Sequence, residues 1–158
     1  MSSLQPTIRR GQDVDLAVVL ALLESAALPT ADLTSAPGLQ LWVLEAKESL
    51  CGVIGMERFG TCALLRSLAV GTSFQRRGFG HNLVARLERD AQAYGVEQLV
   101  LLTETAEKFF RAIGYEVIDR RLVPEEIKQT AEFRSLCPAS AVCMTKLLAP
   151  SRAGVPNG

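Results

Sequence analysis

The sequence predicts a single α/β domain on a mixed, mostly antiparallel sheet. Three observations carry this. Apolar, β-branched runs follow one another from residue 39 to residue 70 with only short polar turns between them, which is the pattern of an antiparallel meander. The next apolar run, 97–102, lies beyond a glycine loop and a helix-periodic segment, the spacing of a right-handed crossover between parallel strands. The whole chain is 158 residues with no internal repeat, enough for one core that buries roughly two thirds of the unfolded surface.

Taken in order, Thr7–Arg10 reads as a short strand, and Asp13 as the cap of a helix carrying Leu16, Val19, Leu20 and Leu23 on one face. LQLWVLEA, Leu39–Ala46, and LCGVIGMERF, 50–59, are strands parted by Lys47-Glu48-Ser49. Gly60-Thr61 turns into a third strand, Cys62–Val70. After the glycine loop, Leu83, Val84, Leu87, Ala91 and Tyr94 share a helical face, and Gly95 ends it. EQLVLL is a continuous apolar run, as in a strand covered on both faces. Thr105 is expected to cap the helix AEKFFRAI, Gly114 to close it, and YEVID, 115–119, to follow as a strand. A short helix with Pro124 in its first turn is expected over 124–133, and a last strand over 140–148. The domain then covers 1–148, and 149–158 reads as a frayed tail.

Composition removes several function classes. Seventeen basic and seventeen acidic residues cancel, so no overall field draws nucleic acid or an anionic membrane. The opening MSSLQPTIRR has no apolar signal core, and no run approaches the roughly 20 residues of a membrane span, so a cytoplasmic protein is expected. Cys51, Cys62, Cys137 and Cys143 form no CxxC pair and have no histidine cluster beside them, which predicts free thiols and no metal site.

The stretch FQRRGFGHNL places two arginines and a Gly-x-Gly pair between a strand and a helix. Helix N-termini gather unpaired amides and positive dipole, so this junction suits a phosphate-bearing ligand. A Walker loop is excluded because no lysine occurs between Lys47 and Lys108. A dinucleotide fingerprint lacks its third glycine. Gln75-Arg76-Arg77-Gly78-Phe79-Gly80, followed by a helix, a buried strand and AEKFFRAIGY at 106–115, resembles the GNAT acetyltransferases, with their Q/R-x-x-G-x-G/A and A-x-x-F-Y-x-x-x-G-F/Y motifs.

The resemblance implies a single-domain GNAT fold whose central parallel pair splays apart at the acetyl-CoA site. It implies that Gln75, Arg76, Arg77, Gly78, Phe79, Gly80 and His81 hold the pyrophosphate. The pantetheine arm would run along the backbone of Leu68, Ala69 and Val70, with Thr103, Phe109 and Phe110 beside it. The family's usual tyrosine, able to protonate the departing thiolate, is replaced here by Phe110. Relatives often carry a carboxylate near Glu57 that deprotonates the acceptor; the alternative is a solvent-facing strand residue. His81, the only histidine, suits a phosphate contact or a plain surface position better than catalysis.

TAEFRSLCPASAVCM, downstream of the second motif, is similar to the ArsN-type acetyltransferases found with arsenic-resistance genes. That similarity implies a small-molecule amine as acceptor, an arsenical or phosphinic amino acid in some members, with 121–139 hanging over the acceptor side of the cleft. Arg134 could there meet an acceptor carboxylate, or form an ordinary surface ion pair. No metal and no nucleic-acid or membrane partner is implied, and a homodimer is compatible with the family. Two rival readings stay open: a thiol-based metalloid-binding or sensing protein using Cys137 and Cys143, and a coenzyme-A-binding module without turnover.

Overall fold

The computed structural model of the chain describes residues 5–36 and 38–149. The expected tail lies outside the described residues apart from Ala149. Strands β1 (Thr7–Arg10), β2 (Leu39–Ala46), β3 (Ser49–Phe59), β4 (Cys62–Val70), β5 (Gln98–Thr103), β6 (Glu116–Val117) and β7 (Val142–Leu147) form one sheet in the order β1-β2-β3-β4-β5-β7-β6. Only β4 and β5 pair in parallel, at the crossover the sequence predicts.

Helix α2 (Phe79–Ala93) buries Leu83, Val84, Leu87 and Ala91 against one sheet face, where Trp42, Ile54, Met56, Leu99 and Leu101 meet them. Leu83 and Leu87 are fully buried, and each contributes about 1.5–3 kcal/mol to that contact. Helix α1 (Leu16–Ser25) covers the opposite face, with Val19 and Leu23 on Val43, Val53 and Ala69. Successive β5 residues therefore point into different clusters: Leu99 and Leu101 face α2, whereas Val100 packs with Leu64, Cys143 and Ile127.

Four local expectations are corrected. Asp13 only opens a 3-10 turn ahead of α1; Asp15 does the capping work, accepting the Gln12 amide at 2.7 Å while Arg9 donates to it. Thr105 does not cap α3 (Glu107–Ala112); the Thr103 hydroxyl accepts the Ala106 amide at 2.9 Å instead. The strand expected over 115–119 shrinks to Glu116–Val117, because the Asp119 carboxylate accepts the Arg121 amide and bends the chain into a 3-10 turn. The helix expected over 124–133 breaks into α4 (Glu125–Lys128) and a π-helical turn, Glu132–Leu136. Thr130 lies at the break: its hydroxyl donates to Ile127 O and accepts the Phe133 amide, in competition with the helical ladder.

Candidate active site

The parallel pairing of β4 with β5 runs only from Cys62/Gln98 to Leu64/Val100. Beyond it both strands continue, β4 to Val70 and β5 to Thr103, without pairing to each other. β4 also carries a bulge here. Gly55 faces Arg66 while Val53 faces Ala69, so Ser67 and Leu68 share the place opposite Ile54. Ser67 sits at φ +62°, a left-handed conformation that a non-glycine residue adopts at a cost. Bulge and splay open a cavity of about 330 Å³, walled by residues 65–68 of β4, 101–106 at and beyond the end of β5, 26–29 after α1, and Phe110, Glu132 and Cys137.

A second cleft, about 450 Å³, lies at the end of β4. Its walls are Val70, Phe74, Gln75, Arg76, Gly78, Phe79, Gly80, His81 and Phe109. The Gln75 side chain donates to Val70 O at 2.9 Å and fixes the loop to the strand end. Gly78 caps α2 at φ +84°, and a Cβ on Gly80 would stand 3.4 Å from the Phe109 ring. The first bond of the α2 ladder is donated by Asn82 to Gly78 O, so the amides of residues 79–81 face outward as the helix's unpaired donors. The loop fits a pyrophosphate.

The structure sorts the expected contact residues into these two spaces. Leu68, Thr103 and Phe110 line the splay cavity; Val70, Gln75, Arg76, Gly78, Phe79, Gly80, His81 and Phe109 line the loop cleft. Ala69, between Leu68 and Val70, turns its side chain into the α1 core. Arg77 lies instead over the rings of Phe74 and Phe79, at 5.4 and 5.2 Å. His81 stacks edge-on against Phe109 at 5.0 Å, which in turn meets Phe110. Tyr115 is buried, and its hydroxyl donates to Glu88, so it packs away from the cavity as its place after Gly114 requires.

Two expected residues stand elsewhere. Arg134 is exposed, in a shallow depression with Gln129, Ala131 and Ser135 rather than in the splay. Glu57 is 2% exposed and lines a separate pocket with Asp32, Ser35 and Gln129.

Glu57 instead joins a buried cluster that no sequence pattern announced. The Arg66 side chain is completely enclosed and donates to Asp32 through both terminal nitrogens, at 2.6 and 2.7 Å, and to Glu57 at 3.0 Å. Its Nε lies 3.1 Å from both Ser67 Oγ and a Glu132 oxygen. Three carboxylates thus surround one guanidinium. The Arg66 bonds hold Asp32 below the usual carboxylate range, against the opposing effect of burial. Burial pushes Glu57 up, with Arg66 opposing. It pushes Glu132 up to about 7, Arg66 again opposing while Asp32 and Glu57 add to the rise. The one signal in the sequence was Arg66 itself, a lone charge inside the apolar strand CALLRSLAV, since a charge there must find partners.

Cys143 is a packing group, whereas Cys137 is half-buried at the splay cavity. Cys143 lies in the cluster with Leu64 and Val100, and burial pushes its thiol up to about 11. Cys137 lies against Glu132, and burial together with that carboxylate pushes it up to about 12. Both shifts disfavour the thiolate a soft metalloid would bind.

Comparison with known proteins settles the family. The model of the acetyltransferase (GNAT) domain matches residues 17–131, most of the chain. The chain belongs to the GNAT acetyltransferase family. A curated relative, described as an uncharacterized N-acetyltransferase of Chlorobaculum tepidum, is 32% identical over 81 residues, 51% of this chain and 50% of the relative. Among solved structures, N-acetylglutamate synthase from Neisseria gonorrhoeae with coenzyme A and N-acetyl-glutamate superposes with a TM-score of 0.78 at 20% identity, over 92% of this chain and 35% of that one. A Mycobacterium tuberculosis protein in complex with CoA gives 0.76 at 22% identity, over 90% and 99%. These structures share the GNAT fold with this chain, which spans about half the length of the curated relative and a third of the synthase. Among the described residues no helix is long and apolar enough to cross a membrane.

Proposed function

We propose that this GNAT chain transfers the acetyl group of acetyl-CoA to a primary amine of a small molecule, by direct attack in a ternary complex. The observation that carries the reading is the pairing gap between β4 and β5, with the splay cavity at Leu68 and the glycine-loop cleft at Val70 of the same strand. Acetyl-CoA supplies, when bound, an activated thioester carbonyl. Residues 79–81 would hold the pyrophosphate through their amides, with Arg76 adding charge. The unpaired backbone of 68–70 would take the pantetheine as an extra strand, and an amide at the bulge would polarise the carbonyl as the amine attacks. Phe110 has no proton to give, so the thiolate takes its proton from water or from the attacking amine; a thiol of ordinary pKa near 8.5 leaves tolerably without an acid.

The acceptor end favours a cation. Glu132 and Glu104 both line the splay, against Arg66 as its one enclosed cation. An ammonium-bearing small molecule fits that charge, and a cavity of about 330 Å³ fits its size. Arsenical and phosphinic amino acids are candidates through the similarity of 130–144 to the ArsN-type enzymes. The test is free-thiol release from acetyl-CoA over a panel of amines containing these, ordinary amino acids, polyamines and aminoglycosides, with mass spectrometry of each product. Saturable thiol release with an equal amount of N-acetylated amine is expected for at least one. Tight acetyl-CoA binding with no acetylated amine anywhere in the panel would favour a binding module without turnover.

A further inference from the structure

Of the three carboxylates on Arg66, Glu132 alone also lines the splay cavity; Glu57 and Asp32 line a separate pocket with Thr130 and Ala131. Glu132 comes from the π-helical turn of the C-terminal segment, far in sequence from the sheet, and is 3% exposed. π-Turns are rare, and they gather where a helix must re-aim a side chain. Here the turn delivers a carboxylate over the bulge of β4, beside Ser67 and Cys137. Glu104, the cavity's other carboxylate, stands exposed at the rim and is not desolvated.

We propose that Glu132 is the general base of the transfer, and that Arg66, with Asp32 and Glu57 behind it, is the positioning residue that aims Glu132 at the acceptor. The proposal rests on the acetyl-transfer reading and names the proton acceptor within it. The ammonium of the acceptor gives one proton to Glu132, leaving a free amine. The nitrogen lone pair then forms the C–N bond to the thioester carbon as the C–S bond breaks. The second nitrogen proton goes to the departing thiolate, and Glu132 returns its proton to water, so the products are the amide, the free thiol and one proton. Burial raises Glu132 to about 7, where a base is half ionised at neutral pH and still basic enough to act. The groups facing it are Arg66 and Ser67 from β4, Asp32 from the loop after α1, Glu57 from β3 and the Cys137 thiol. Because the folded value is raised, Glu132 is protonated and inert below that pH and competent above it.

The experiment compares wild type, Glu132→Gln, Glu132→Asp and Glu57→Gln with the best amine of the panel, across pH 5 to 9. Wild-type kcat/KM should rise with pH through a limb near 7. Glu132→Gln should lose that limb and fall about 10²- to 10⁴-fold, while acetyl-CoA affinity measured by calorimetry stays within a few-fold. Glu132→Asp should restore part of the rate, and Glu57→Gln should keep a limb at a shifted midpoint. A readout independent of turnover is carboxyl ¹³C NMR of glutamate-labelled protein without ligand: one glutamate should titrate near 7, and its signal should vanish in Glu132→Asp. The proposal is overturned if wild type is active and Glu132→Gln keeps the limb, if Glu57→Gln alone removes it, or if no glutamate titrates near 7. An inactive wild type would sink the acetyl-transfer reading itself, and this assignment with it.

Discussion

Replacing Arg66 with Met is expected to cost about 3–5 kcal/mol of folding stability at neutral pH, because it strands Asp32, Glu57 and Glu132 together without their cation. Methionine keeps much of the volume, so the loss is electrostatic. For a chain of this size that corresponds to roughly 6–20 °C in Tm, measurable by calorimetry or circular dichroism. The sign with pH separates this from a packing defect. In wild type, Arg66 lowers Asp32, so that contribution is present above the unfolded carboxylate value near 3.9 and fades as pH falls through the folded one. In Arg66→Met all three carboxylates titrate above their unfolded values, so stability is retained below about pH 4 and lost as pH rises toward neutrality. The gap between variant and wild type should therefore be smallest in acid and widest near pH 7. A gap of constant size across pH would show that the cluster is not held by charge.

Gly78→Asp is expected to weaken acetyl-CoA binding by about 100-fold or more, since a like charge beside a bound anion costs several kcal/mol. Folding should survive. Gly78 sits at φ +84°, where Asp is among the better-tolerated residues, its Cβ would meet nothing within 4 Å, and a carboxylate at a helix start suits the dipole. What the new carboxylate opposes is the pyrophosphate that the amides of 79–81 would otherwise hold. Calorimetric titration of the folded variant measures it, and unchanged affinity would move the coenzyme away from this loop.

The meander, the crossover and the glycine loop were legible because each is a local pattern: alternating apolar runs, a 3.6-residue stripe on α2, a glycine at positive φ. Strands β2 and β4 fall where their composition places them. The Arg66 cluster was not legible, because Asp32, Glu57 and Glu132 come from a loop, a strand and a π-turn up to 100 residues apart in sequence. Helical propensity over 124–133 carried no hint that the Thr130 hydroxyl would take up the backbone and give way to a π-turn over Glu132–Leu136. A carboxylate was anticipated at the acceptor side from resemblance, on β3; Glu57 lines a separate pocket, and the enclosed carboxylate at the splay, Glu132, comes from the C-terminal segment.

Bound as proposed, the coenzyme lies across the glycine loop and along the unpaired side of β4. At 17.1 kDa the chain suits amide NMR, so the direct measurement is a titration of ¹⁵N-labelled protein with coenzyme A. Saturable shifts are expected, centred on Gly78, Phe79, Gly80 and His81 and continuing through Leu68, Ala69 and Val70, with β1 and the β6 edge unmoved. Saturable binding that leaves the amides of 68–70 and 78–81 in place would contradict that binding mode.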